Sequence, residues 1–188
     1  MRLAEQKELK VEIKSLPEKE KDKLLLRLIA KDKVLTEHLH FMLLENEDDL
    51  TLRFENLMKS IDEGIHELTS TRKLTSKDTL LKVRKLSGMI SHHLKVTKDA
   101  LTEIELRIHL LSSVPIDFKE SVSSPMYKLN ERLFIYYVKA VVSLLNKFKK
   151  LHEDIQFDMK ETINAILSKV YSHKTAGIAS DLGLPKQI

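Results

Sequence analysis

The chain has 188 residues, 42% of them hydrophobic and 32% charged, with four glycines, four prolines and no cysteine. That is too apolar for a disordered chain and too poor in breakers for a turn-rich β fold, and without thiols there are no disulfides and no thiolate chemistry. The net charge of +4 is unevenly spread: residues 1–71 carry 12 basic and 16 acidic side chains, 72–98 eight and one, and 99–188 twelve and eleven.

The N-terminal stretch MRLAEQKELKVEIK has no apolar run, so it does not read as a secretory signal. Residues 2–14 form a first expected helix with a thin apolar side of Leu3, Leu9 and Ile13. It ends at Ser15-Leu16-Pro17, where Pro17 opens a second helix to about residue 31. Asp32 reads as the N-cap of a third, about 33–46, and a fourth runs over about 48–71. Ser76 and Asp78 mark the start of a fifth, which can run to about 112 unless Thr97-Lys98-Asp99 splits it. Residues 112–124 form the one real loop, followed by a sixth helix, about 125–150, and a seventh, about 152–173. Residues 174–188, KTAGIASDLGLPKQI, read as a flexible tail.

No segment alternates at period two, so no strand is expected. The fold expected is all-α: an antiparallel bundle of about seven helices, four of them long, with a short N-terminal pair or triplet packed on it. One domain would span 1–173, with 1–46 on the bundle of 48–173. The alternative is a HEAT/ARM-like superhelix, although no 40-residue repeat supports one. The sixth helix, apolar around most of its circumference from Leu133 to Leu145, belongs at the centre. Its apolar run LFIYYVKAVVSLL is far short of the roughly 20 residues of a membrane span. A cytoplasmic protein without membrane association is the expectation.

EHLHFMLLE, residues 37–45, contains Glu37-x-x-His40, the spacing of di-iron bundles, and Glu63-x-x-His66 repeats it. On helical wheels both pairs lie away from the apolar faces and point at solvent, whereas such ligands must converge inward. The third helix therefore reads as a core helix, with His38 beside Val34, Leu35, Phe41 and Met42. His38 and His93 read as buried imidazoles held by a carbonyl or carboxylate. No phosphate loop or hydrolase motif occurs. The acidic run at 45–49 reads as a helix cap, and Glu153, Asp154, Asp158 and Glu161 as a solvated face of the seventh helix. No metal or other cofactor is expected.

One functional lead remains. On the fifth helix Lys77, Arg84, Lys95 and Lys98 fall in a stripe about 60° wide and about 30 Å long, with Gly88 and Ser91 among them. Small residues between cations would let a phosphate backbone or an acidic helix approach closely. The simpler reading is a solvated helix face. No aromatic residue lies in this segment to stack on bases. The function expected is a non-catalytic protein-interaction or structural module, with a protein partner or self-association. The first alternative is an anion- or nucleic-acid-binding module using the stripe, and the second an all-helical metal-dependent enzyme.

Overall fold

A computed structural model describes residues 5–72, 74–118 and 127–188, with the backbone alone at Tyr127. Among these residues the ordered elements are all helices: α1 (Lys7–Ser15), α2 (Glu18–Ile29), α3 (Lys33–Leu44), α4 (Glu47–Ser70), α5 (Ser76–Thr97), α6 (Ala100–Ser113), α7 (Tyr127–Phe148), α8 (Glu153–Tyr171) and α9 (Ala176–Asp181). The chain divides into two compact units, Met1–Glu45 and Asn46–Ile188.

In the first unit the local signals act as the sequence suggests. Pro17 ends one helix and opens the next, and the Asp32 carboxylate accepts the amides of Val34 and Leu35 at 2.9 and 3.1 Å, capping α3. α2 packs on α3. The expectation of a core helix at 33–46 fails, because no residue of α1, α2 or α3 is buried. His38 is half-buried, and Met42, Leu43 and Leu44 are exposed. Helical periodicity reports that a face is apolar, not that anything covers it.

In the second unit α4 opens with a reciprocal cap. The Asn46 side chain accepts the amides of Asp48 and Asp49, and the Asp49 carboxylate accepts the Asn46 amide. The helix expected over 76–112 is two helices. Lys98 adopts a left-handed conformation, φ 58°, and its amide still bonds to the Leu94 carbonyl. The Asp99 carboxylate then accepts the Thr102 amide at 2.7 Å and starts α6. Thr97 reinforces the break: its hydroxyl donates to the His93 carbonyl and accepts the Asp99 amide. Short polar side chains here offer the backbone partners that a continuous helix would not use.

Each helix from α4 to α9 packs on the next and the next but one, the order shared by a bundle of consecutive helices and a short superhelix. α7 lies against α5, α6, α8 and α9 and buries Leu133, Phe134, Tyr137, Val138, Val141 and Leu144. α6 has as many neighbours (α4, α5, α7 and α8) and buries Ile104, Leu106, Leu110 and Leu111, so it shares the centre with α7. Gly64 lets α4 come close to α5, since a Cβ there would stand 3.2 Å from Leu86 Cδ1. At the end of α6 the Lys169 ammonium donates to the carbonyls of Ser112 and Val114 at 2.7 Å each, and the buried Tyr137 hydroxyl donates to that of Leu111 at 2.8 Å. These groups satisfy carbonyls that the helix leaves open, while burial pushes the Lys169 ammonium down to about 8.

Of the loop expected at 112–124, Val114 and Ile116 are buried, and 119–126 lie outside the described residues. Residues 174–188, read from sequence as a flexible tail, instead carry α9 and pack on α7 and α8. Ala179 and Leu184 are buried, and the Ile188 amide donates to Asn164 Oδ1 at 2.9 Å. Two small apolar anchors and a side-chain clamp hold a segment whose glycines suggest freedom.

Candidate binding groove

α5 presents three strips. One, with Val83, Leu86, Ile90 and His93, is buried in the core. The second is the basic stripe. Lys77, Arg84 and Lys95 on α5, and Lys98 in the left-handed turn just past its end, are all exposed, and among the described residues none of them is in an ion pair. Arg84 has a different partner, with its guanidinium 5.3 Å from the centre of the Tyr136 ring on α7. Ser91 is not open to a ligand as the sequence reading supposed. Its hydroxyl donates to the Ser87 carbonyl and accepts from Arg107 Nη2 at 3.0 Å.

The third strip lies next to the stripe, about 20 to 120° further round the helix. Here α5 and α4 border an open groove of about 550 Å³. The half-buried Leu57 and Met89 supply apolar surface beside the buried Val96, Arg53, Lys85 and His92 supply basic groups, and Asn56 supplies an amide. Lys85 and His92 are exposed. Gly88 also lines the groove, is exposed, and has nothing within 4 Å of where a Cβ would stand. The stripe and the groove thus meet at Gly88, between Arg84 and His92 one turn to either side.

His93 borders the groove but is fixed in the core. Its Nε2 lies 3.0 Å from Thr102 Oγ1, and that hydroxyl donates to Asp99 at 2.9 Å. Burial lowers the His93 pKa. The Thr102 proton points at Asp99, so the hydroxyl is not held as a nucleophile toward His93. Beyond it, the Glu103 carboxylate, 2% exposed, accepts from Arg107 Nε at 2.8 Å and from the Lys147 ammonium. This buried charge cluster ties α6 to α7 and, through Arg107 and Ser91, to α5.

The two Glu-x-x-His pairs do not converge. His40 lies 2.8 Å from Glu45, Glu63 is 4.0 Å from Lys59, and His40, Glu63 and His66 are exposed. Among the described residues no three His, Asp or Glu side chains gather as a metal site. No described helix is long and apolar enough to cross a membrane. Sequence reading missed the α4 wall, Arg53, Asn56 and Leu57. The i, i+3 and i+4 spacing of these residues places them together on α4, but only packing sets them opposite Lys85 and Met89. The chain matches no protein-family model, no curated protein and no solved structure.

Proposed function

We propose that the chain is a non-catalytic interaction module that holds an acidic, partly apolar helix of a protein partner in the α4–α5 groove. The observation that carries this reading is the meeting of an apolar surface, the half-buried Leu57 and Met89, with basic groups on both bordering helices. An amphipathic helix gains affinity by burying its apolar side chains, and flanking carboxylates select its orientation and partner. A test is fluorescence anisotropy with a labelled peptide carrying Glu and Leu at helical spacing. Wild type should bind it more tightly as salt is lowered. Gly88→Glu puts a carboxylate in open space between Arg84 and His92, replaces glycine by a helix-favouring residue, and should weaken binding roughly tenfold or more. No binding of the peptide at low salt would overturn the reading.

A second reading follows from the exposed stripe, which is in no ion pair among the described residues: an anion ridge that tracks a nucleic-acid backbone. Generic single-stranded RNA and duplex DNA in the same assay should then bind with steep salt dependence, and Arg84→Glu with Lys95→Glu should abolish it. Those two changes cost little stability, about 0.5–1 kcal/mol for the lost contact between Arg84 and Tyr136. Absence of nucleic-acid binding at low salt removes this reading and leaves the first.

A further inference from the structure

Building on the groove reading, we infer that a partner for this groove is a second copy of the chain, whose α8 supplies the acidic, partly apolar face. Phe157 on α8 is 78% exposed, the most exposed of the large hydrophobic side chains among the described residues. Glu153, Phe157 and Glu161 follow one another at four-residue spacing and share an arc of about 80°, with Asp154 about 20° beyond one edge and Lys160 about 20° beyond the other. All five are exposed. One aromatic residue among three carboxylates and one ammonium complements a groove that joins the half-buried Leu57 and Met89 to Arg53, Lys85 and His92. A groove of about 550 Å³ has room for a phenyl ring and its neighbours.

The packing order adds a second argument. Helices α4 to α9 contact the next one or two along the chain, so α4–α5 and α8–α9 are the two ends of one sequential array. α8 packs on α6, α7 and α9, with the Phe157 face left over. Two different, complementary patches on one molecule make a heterologous contact. Such a contact propagates head to tail into chains or closes into a ring, of which a reciprocal pair with two groove contacts is the smallest.

The experiment is sedimentation velocity of the full chain across a concentration series, at low and high salt, with two variants. Wild type should grow in mass with concentration and revert toward monomer at high salt. Phe157→Ser removes an exposed ring, and Gly88→Glu obstructs the groove, so both should fold and both should stay monomeric alone. An equimolar mixture of the two retains one intact groove and one intact α8 face, and should form a species of two chains and no more. A wild-type monomer that still binds the acidic peptide overturns this inference and leaves the groove reading standing. A wild type that neither associates nor binds the peptide overturns both. Self-association that survives in Phe157→Ser overturns the α8 assignment.

Discussion

Glu103 offers the sharpest test of how the second unit is held together. Its carboxylate is 2% exposed and receives Arg107, 16% exposed, and Lys147, 33% exposed. Glu103→Gln keeps the shape and removes the charge, which strands two partly desolvated cations. Removing one member of a buried charge cluster costs about 3–5 kcal/mol. Lys147 can swing its ammonium to water, so the lower end applies, about 3 kcal/mol. For a chain of this size that is a fall of about 6–12 °C in melting temperature. The triple change Glu103→Leu, Arg107→Met and Lys147→Met leaves no charge unpaired, and Ser91 keeps its bond to the Ser87 carbonyl. It should therefore recover most of the loss, because apolar replacement of a whole buried cluster is often neutral or better. Urea denaturation followed by circular dichroism measures both variants. The reasoning is wrong if Glu103→Gln stays within about 0.5 kcal/mol of wild type, or if the triple variant is clearly less stable than the single one.

Ile90→Ala and Val141→Ala, at positions 0% and 1% exposed, should cost about 2–4 and 1–3 kcal/mol through lost burial and a residual cavity, and unchanged urea midpoints would contradict the packing described. His93 should destabilise the fold on acidification. Its folded pKa lies below the ordinary 6.5, so between the two values the unfolded chain binds more protons and stability rises with pH. Unfolding of wild type against His93→Gln, from pH 7 down to 4.5, should show a loss below about 6.5 that the variant lacks, and parallel curves would count against it. Lys98→Gly should stabilise by about 0.5–1 kcal/mol, because glycine adopts the left-handed conformation without a Cβ clash; a lower melting temperature would mean that the Lys98 side chain contributes more than its backbone costs.

Most helices follow from local sequence alone. Asp32 and Asn46 cap α3 and α4 because a short polar side chain beside its own backbone reaches the free amides whatever the rest of the chain does. The core faces of α4 and α7 follow from the spacing of Ile61, Ile65, Tyr137 and Val141, since one apolar stripe on a helix must be the buried one when the helix is packed. The exposed cations of α5 were legible for the complementary reason. The break at Lys98 was half legible: Thr97 and Asp99 announce it, yet the apolar seam runs through it, and only the left-handed turn chooses between one helix and two. Tertiary structure alone decided three things. It packed α2 on α3 in a first unit that buries none of its described residues. It pinned the C-terminal segment through Ala179, Leu184 and Asn164, contacts made between segments remote in sequence. It set Arg53 and Leu57 across from Lys85 and Met89, and so made a groove from two helix faces that periodicity describes one at a time. Periodicity is a property of one helix, whereas cover, clamps and grooves belong to pairs, and the pairing is decided by packing over the whole core.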